Sequence, residues 1–328
     1  MRFGRNPSSG ANTDTTRLED TLNETTRSQA GTEDEQEDVE VALESLSQWQ
    51  LAYRRFRRHR LAMIGVAIFT FMVLVAIFGP VLQPYNRNIP GAKKQGGDPP
   101  SFPTHVFGTN SQGQDVFNLV INGARISMII GLASMLIAGV VGVVVGAFAG
   151  YFGGVTDNVL MRVVDVLFAI PFLFIILVAA RFFGQGDVLS LTLIFGLLSW
   201  PLIARLVRAL FLSLREADFV DAARAVGVGD RRIAFRHILP NALGPVIVAM
   251  TLLMASNIVL EAFVSFLNFG IKETEVSWGN VLSNAQNALI LGNWWWAFFP
   301  GMAIALTVIA INFIGDGLRD ALDPRSRE

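Results

Sequence analysis

The sequence predicts an all-α membrane protein with six transmembrane helices. Hydrophobic residues make up 52% of the 328 residues, against 16% that are charged. They collect in six runs, and each run is long enough to cross the hydrocarbon core of a bilayer, which takes roughly 20 helical residues. The predicted spans are residues 61–82, 127–150, 161–180, 188–212, 243–266 and 296–314.

The first 50 residues form an acidic head with no long apolar run. The head is rich in polar residues and has too little apolar surface to offset the entropy of ordering, so we predict that it is disordered. It does not have the pattern of a signal peptide, and residues 51–82, a basic patch followed by the first span, should remain as a membrane anchor. The chain has three lysines, Lys93, Lys94 and Lys272, and together with the acidic head this is typical of salt-adapted proteins.

The arginines predict the orientation in the membrane. Five of them, at positions 54, 55, 57, 58 and 60, precede the first span, and the positive-inside rule places this end in the cytoplasm. Six crossings return the C-terminus to the cytoplasm, together with the arginine-rich segment between the fourth and fifth spans. Residues 83–124 then form an extracytoplasmic loop whose prolines favour irregular structure, and residues 125–328 hold the other five helices.

Few ionisable residues fall inside the predicted spans, whereas ion-coupled transporters usually carry acidic or histidine relays there. Arg162 and Asp165 are one helical step apart in the third span, and we predict a local ion pair, with a gate or subunit contact as the alternative. Glu261, in the outer part of the fifth span, should face other helices, a partner subunit or a water-filled path. Pro171 removes a backbone hydrogen bond and should bend the third span.

Small residues recur at every fourth position of the second span, at Ala138, Gly142, Gly146 and Gly150. This spacing gives one helix face with almost no side chain. We predict that another helix packs closely against it, in preference to a role in lining a pore.

The polar segment between the fourth and fifth spans, residues 216–240, is the most informative part of the chain. Its apolar residues fall at helical spacing and form one nearly flat face, which comprises Phe219, Ala222, Ala223 and Val226. Such a face suits docking into a groove of another protein. An amphipathic loop that lies on the lipid surface is the alternative, because the segment is rich in arginine.

The end of this helix is also predicted by its residue types. Gly227 and Gly229 permit backbone angles that would strain other residues, so the chain should bend there. Asp230 is a candidate N-cap for a second short helix through Arg236. Pro240 should lie in the first turn of the next span, where no hydrogen bond is lost.

The residue patterns of most enzymes are missing. The chain has no cysteine, which excludes disulfides, thiolate metal sites and cysteine nucleophiles. A Walker A loop needs a lysine after a glycine-rich run, and none of the lysines is predicted to be cytoplasmic. The three histidines are scattered. We therefore expect no catalytic residues, no metal site and no cofactor, and a protein that is not an enzyme.

Several motifs outside the polar segment point to one family. The region from residue 61 to residue 325 resembles the C-type permease subunit of dipeptide and oligopeptide ABC importers, a group that includes nickel permeases. The polar segment, with Asp221 to Gly227 and a distal Ile238-Leu239-Pro240, resembles the EAA loop of such permeases. The other matching motifs are Gly-Ala-Arg-Ile-Ser at 123–127, Ala-Gly-Tyr-Phe-Gly-Gly at 149–154, Met-Arg-Val-Val-Asp at 161–165, Ser-Trp-Gly-Asn at 277–280 and Gly-Asp-Gly-Leu-Arg-Asp-Ala-Leu-Asp-Pro at 315–324.

The resemblance implies a type I ABC importer permease fold with cytoplasmic coupling helices. It implies pairing with a B-type permease, two cytoplasmic ATPase subunits and an extracytoplasmic solute-binding protein in the cell membrane. The coupling role falls on Phe219, Asp221, Ala222, Ala223, Val226, Gly227 and Pro240. Peptide is the expected solute, and nickel or another solute is the alternative within the class. A secondary transporter that works without an ATPase is the alternative from another class.

The chain departs from the family pattern in two places. The family usually has glutamate where this chain has Asp221. In a turn of the predicted extracytoplasmic loop, residues 108–115, the family has an aspartate and an arginine where this chain has Asn110 and Gln114, so any role of charge in that turn is in doubt.

Overall fold

In a computed structural model of the chain, the described residues are 48–85, 97–184, 186–272 and 275–322. The chain forms two compact units, Met1–Arg54 and Arg55–Glu328. Of the first unit, only the start of helix α1 (Gln48–Arg58) is described. Nearly all of the acidic head, whose disorder was predicted, lies outside the described residues.

The second unit is built from helices. Its described residues contain no strand, apart from two isolated bridges in the segment before the second span. The helices are α2 (Arg60–Leu82), α3 (Val116–Phe152), α4 (Gly154–Ala169), α5 (Phe172–Ala179), α6 (Val188–Leu214), α7 (Asp218–Ala225), α8 (Asp230–Phe266), α9 (Trp278–Asn284), α10 (Gln286–Ile290) and α11 (Trp295–Leu322). Helices α2, α3, α6, α8 and α11 are each long and apolar enough to cross a membrane.

The predicted third span is broken. Helices α4 and α5 meet at an angle of 85°, and the break falls at Ile170 and Pro171. Pro171 has no N–H to bond the preceding turn and its ring disfavours a helical residue before it, so the helix ends there. The predicted bend at Pro171 is confirmed.

The broken pair still crosses the helix bundle from one end to the other. Arg215, at the end of α6, donates a hydrogen bond to the carbonyl of Tyr151 at the end of α3, so both helices end at one face, here called the Arg-rich end. Helix α4 starts at this end, right after α3, whereas α5 packs against Leu191 and Phe195 near the start of α6. We infer that α4 and α5 together form one span, the third in chain order. With the five long helices this makes six spans, the number that the sequence predicts.

The glycine stripe of α3 packs against α6, as predicted. Ala138 is fully buried, and the three glycines leave no room for a side chain. A Cβ atom placed on Gly146 would lie 2.5 Å from the carbonyl oxygen of Ala204, and one on Gly142 or Gly150 would lie 2.8 Å from a backbone carbonyl of α6. The stripe therefore lets two backbones touch, which is the usual role of such stripes in membranes.

We expect Gly146→Val to destabilise the bundle. The valine must push α3 away from the α6 backbone, and backbone atoms cannot move aside cheaply, so the loss should be at the upper end of the roughly 1–3 kcal/mol typical of overpacking. Gly301→Val in α11 is a matched control, because no described atom beyond the neighbouring backbone of its own helix lies within 4 Å of the added Cβ. Thermal unfolding in detergent measures the difference, and equal midpoints for the two variants would contradict the packing role.

Helix α3 extends about three helical turns beyond the predicted start of the second span. Helix α3 begins at Val116 instead of residue 127, because Asp115 caps it by accepting a hydrogen bond from the Phe117 N–H at 2.8 Å. The predicted loop after the fifth span also contains two short helices, α9 and α10. The Ser277 side chain begins α9 with a capping box, in which Ser277 and Asn280 bond each other's backbone N–H groups.

Many large apolar side chains of the long helices face outward. Phe71 is 61% exposed and Val140 is 65% exposed. Continuous apolar surface of this extent marks an interface with lipid or with another subunit. The protein is a multi-pass membrane protein.

Candidate functional site

The polar segment at the Arg-rich end folds as helix, bend and helix. Helix α7 starts at Asp218, and Asp218 and Asp221 lie in its first turn, where carboxylates stabilise the positive end of the helix dipole. One face of α7 packs on the bundle through Val220, which is fully buried, and Ala223, which is 8% exposed. These side chains join a core cluster that includes Phe211, Ile233, Ala234 and Ile238. The helix is therefore fixed to the ends of α6 and α8.

The opposite face of α7 is apolar and free. Phe219 is 39% exposed, Val226 is 79% exposed and Ala222 is exposed between them. The spacing of three and four residues places these side chains on one face. The prediction that Ala223 belongs to this face is wrong. Ala223 follows Val220 by three residues, and both turn toward the bundle.

The bend after α7 is a Schellman motif. The N–H of Val228 donates to the carbonyl of Ala223 at 3.1 Å, and the N–H of Gly227 donates to the carbonyl of Arg224 at 2.9 Å. This pair of bonds requires a left-handed residue just after the helix, and Gly227 has φ of +79°. The predicted bend at Gly227 is confirmed, and Val228 packs on the same cluster as Ala223.

The second helix differs from the prediction in two ways. Its N-cap is Gly229, and Asp230 is the first helical residue. The helix also continues past Arg236 to Phe266, through a π-helical turn at Ile233–Ile238 that precedes Pro240. The wider π turn accommodates a proline that cannot donate to the preceding turn. The segment is therefore joined rigidly to a transmembrane helix.

The Asp230 carboxylate has a different partner from the one predicted. The Tyr151 hydroxyl, at the end of α3, donates a hydrogen bond of 2.7 Å to it. Arg215 donates to the Tyr151 carbonyl at 3.2 Å. Sequence reasoning missed this connection, although Tyr151 belongs to a motif that the sequence shows. The start of α8 is therefore tied to α3 and α6.

The predicted ion pair between Arg162 and Asp165 does not form. Asp165 instead accepts a hydrogen bond of 2.8 Å from Arg205 of α6, and Arg162 is exposed. A second ion pair joins the same helices, because Arg208 donates through two nitrogens to the Asp157 carboxylate. Helix α4 is therefore attached to α6 by two arginines one turn apart.

Glu261 lies inside the bundle. It is 1% exposed, and its carboxylate accepts hydrogen bonds of 2.8 Å from Ser127 of α3 and from Ser265. Ser127 in turn accepts a bond from the backbone N–H of Trp278, at the start of α9, at 3.2 Å. The sequence predicts that Glu261 faces other helices, a partner subunit or a water-filled path. The structure shows the first of these, because its hydrogen-bond partners belong to the same chain. Glu261 does not reach the surface where a subunit interface could form.

The turn at residues 108–115, which departs from the family pattern, is held by a neutral pair. Asn110 donates to Gln114 through their side-chain amides at 2.7 Å, and its Oδ1 accepts from the N–H groups of Gln112 and Gln114. Both side chains are buried. Two amides can bond each other without any charge. Asn110 and Gln114 therefore hold the turn in place of the aspartate and arginine of the family pattern.

The sequence profile of the binding-protein-dependent transport system inner membrane component family matches residues 142–328. The profile of the N-terminal TM domain of oligopeptide transport permease C matches residues 47–100. The chain belongs to the family of binding-protein-dependent transport system inner membrane components. This family is one of transport components, and its members sit in the inner membrane.

Individual relatives align over most of the chain. The oligopeptide transport system permease protein OppC of Escherichia coli (strain K12) is 39% identical over 88% of this chain and 94% of its own length. The dipeptide transport system permease protein DppC of Bacillus subtilis (strain 168) is 37% identical over 86% of this chain and 88% of its own length. A structure of the methionine ABC transporter MetNI in its inward-facing conformation aligns with a TM-score of 0.49 at 20% identity, over 62% of this chain and 96% of that chain.

Family membership and the helical architecture confirm the predicted fold class, an all-α polytopic membrane protein of the importer-permease kind. The resemblance predicted from the motifs is confirmed as well. Among the described residues, no group of three or more His, Asp or Glu side chains could hold a metal ion.

Proposed function

We propose that this chain is one of two permease subunits of an ATP-driven importer of dipeptides or oligopeptides, and that α7 is its coupling helix. The relatives named for oligopeptide and dipeptide transport support the solute class. The partners are a B-type permease, two cytoplasmic ATPase subunits and an extracytoplasmic solute-binding protein. ATP is hydrolysed by the ATPase subunits, so the permease itself is not an enzyme.

The single observation that carries the coupling role is the division of α7 into two faces. Val220 and Ala223 attach the helix to the bundle, whereas Phe219, Ala222 and Val226 leave an apolar face free. A partner that moves this face must also move α8, because the Gly227 bend is short and α8 is a continuous helix from Asp230. Tyr151 extends the connection to α3 through Asp230. Movement at the Arg-rich end is thereby transmitted to three spanning helices.

This arrangement favours an importer with ATPase subunits over a secondary transporter. A secondary transporter needs an ion relay in its spans, and Glu261 is enclosed by serine hydroxyls with 1% of its surface exposed. It also has no use for a free apolar helix face outside the membrane. Nickel or another solute remains the alternative solute within the same class.

The deciding experiment is purification of the tagged chain from its native membrane. We expect an ATPase subunit and a second permease to copurify, and the reconstituted complex to take up peptides when ATP and the binding protein are present. Copurification without peptide uptake would overturn the peptide assignment alone. Purification of the chain without an ATPase, together with uptake driven by an ion gradient, would favour the secondary transporter.

The proposal places the Arg-rich end and both termini in the cytoplasm of a prokaryotic cell. The acidic head and the scarcity of lysine support a salt-adapted source, such as a haloarchaeon. The OppC and DppC relatives are bacterial proteins. The orientation follows from the arginines that precede α2 and from those of residues 205–236.

Single cysteines test the orientation, because the chain has no cysteine of its own. We expect Ser101→Cys to react with an impermeant maleimide added to intact cells, since Ser101 is exposed in the external segment. Ser326→Cys, beyond the described residues, should react only after the membrane is permeabilised. Labelling of Ser326→Cys in intact cells would contradict the cytoplasmic C-terminus.

A further inference from the structure

The break between α4 and α5 opens a cleft of about 420 Å³. The middle of α6 and the outer half of α8 form the other walls. The walls are mostly apolar, and they include Phe168, Pro171, Leu202 and Leu253. Three polar side chains line the same cleft, namely Ser199, Ser256 and Asn257.

The polar side chains of the cleft have unused hydrogen-bonding capacity. Ser199 is 5% exposed, and its hydroxyl has no hydrogen-bond partner within the described chain. Asn257 donates to Ser134 at 2.8 Å, but none of the hydrogen bonds of the described residues reaches its Oδ1. Ser256 donates to the Leu252 carbonyl at 3.0 Å and keeps its acceptor lone pairs. An unpartnered buried hydroxyl is costly, so a native protein that keeps one usually has a use for it.

The positions of Ser199 and Asn257 along their helices place the polar side chains well inside the predicted spans, away from the helix ends. Ser199 is eleven residues after the start of α6 and Asn257 is nine residues before the end of α8, which at 1.5 Å per residue is about 16 Å and about 14 Å. The start of α6 and the end of α8 are at the same face, because Lys272 donates a backbone hydrogen bond to Gly186 at 3.1 Å. A break in a helix at this depth, beside polar groups, is the usual setting of a transporter's solute site.

The Arg-rich side of the cleft is bordered by charge. The guanidinium of Arg205 lies 4.5 Å from the centre of the Phe168 ring, and it also donates to Asp165. None of the side chains that line the described cleft is itself charged. The cleft therefore suits a neutral, hydrogen-bonding portion of a ligand.

We propose that this cleft is the part of the solute path that this subunit contributes, and that Ser199, Ser256 and Asn257 bond the backbone amides of a passing peptide. The inference rests on the proposed importer function and adds the site of contact. Peptide amides can donate to Asn257 Oδ1 and exchange bonds with the two hydroxyls. Apolar walls accept varied side chains without selecting among them.

Two other occupants fit the cleft less well. A lipid acyl chain has no hydrogen-bonding group, so it would leave the Ser199 hydroxyl without a partner and would not use the free acceptor atoms of Ser256 and Asn257. A helix of the partner permease already bonds its own backbone N–H and carbonyl groups. Without polar side chains at this depth, it too has no hydrogen-bonding group for Ser199, Ser256 and Asn257. Only a ligand with free amide or hydroxyl groups uses what the cleft provides.

Ser199→Ala is the sharpest variant. It removes a hydroxyl that has no partner in the chain, so a purely structural role predicts unchanged or higher stability. If the hydroxyl bonds the solute, uptake should fall about fivefold, which is the change expected for the loss of one typical hydrogen bond. The ATPase rate and the thermal midpoint should stay at wild-type values. Ser199→Thr should restore uptake. Thr192→Val is the matched control, because Thr192 lies on the same helix, bonds the Val188 carbonyl and is outside the cleft.

The assay uses the complete complex in vesicles, with radiolabelled alanine dipeptides to pentapeptides loaded on the binding protein. Equal uptake by Ser199→Ala and wild type would overturn the inference. Failure of the wild-type complex to take up any of these peptides would instead overturn the peptide assignment.

Reaction of a cysteine in the cleft gives a readout that needs no solute. Ser256→Cys should react with a charged, water-soluble methanethiosulfonate at least about tenfold faster than Leu74→Cys, because only a path through the complex holds water at this depth. Leu74 is a suitable control, since it is exposed in the middle of α2 and lies away from the cleft. The rate should change when ATP and vanadate trap the complex. Equal rates for the two cysteines in both states would show that lipid or a partner helix fills the cleft, and would overturn the inference.

Discussion

Ala222→Trp should abolish ATP-driven uptake and leave the permease folded and inserted. Ala222 is exposed at the centre of the free face of α7, between Phe219 and Val226. An indole added there does not disturb the bundle. It should instead overfill the groove of the proposed ATPase partner, which fits the methyl group of alanine. Overpacking of this kind costs about 1–3 kcal/mol and can exceed that for a change this large. Uptake and ATP hydrolysis by the reconstituted complex measure the effect.

Two controls separate coupling from folding. Ala222→Ser is close to alanine in size and should keep both activities. Ala223→Trp differs by one position only, but it places the ring in the cluster of Val220 and Ile233, so it should lower the thermal stability of the isolated permease. If α7 instead lay on lipid, Ala222→Trp would strengthen its contact with the membrane. Wild-type uptake and hydrolysis in Ala222→Trp would refute the coupling role of this face.

Features that depend on local chemistry could be predicted from the sequence. The long apolar runs gave the spans, because a bilayer sets their length. Pro171 lacks a backbone donor wherever it lies in a helix, and Gly227 is needed wherever a helix ends in a left-handed residue. The stripe of Gly142, Gly146 and Gly150 has no other economical use than close packing.

Features that depend on distant neighbours could not be predicted. The side of α7 that faces the bundle is set by Ile233 and Phe211. Both belong to other helices, so helical spacing alone predicts the wrong face for Ala223. Asp165 has an arginine three residues away, but the one it bonds is forty positions further along the chain. The hydrogen bonds that surround Glu261 bring together α3, α8 and the start of α9. Spacing along one helix carries no information about such contacts.

The surroundings of Glu261 also change what its substitution should do. Because the carboxylate bonds Ser127 and Ser265 and sits beneath the Trp278 backbone, it positions α9 against the membrane helices. It is enclosed by protein and does not line the cleft of Ser199 and Asn257. We therefore expect its loss to affect the folding of α9 against the bundle before it affects the solute path.

Glu261→Leu should destabilise the permease by about 2–4 kcal/mol, since it leaves buried hydroxyl groups without their acceptor. Glu261→Gln keeps one carbonyl acceptor for Ser127 or Ser265 and should cost about half as much. In thermal unfolding of the purified permease in detergent, the midpoint should be highest for wild type, lower for Glu261→Gln and lowest for Glu261→Leu. A double-mutant cycle with Ser127→Ala identifies the cause, because Ser127→Ala should be less harmful in the Glu261→Leu background, where the hydroxyl has already lost its partner. Additive effects of the two substitutions, or a Glu261→Leu permease as stable as wild type, would show that the serine contacts do not hold α9 in place.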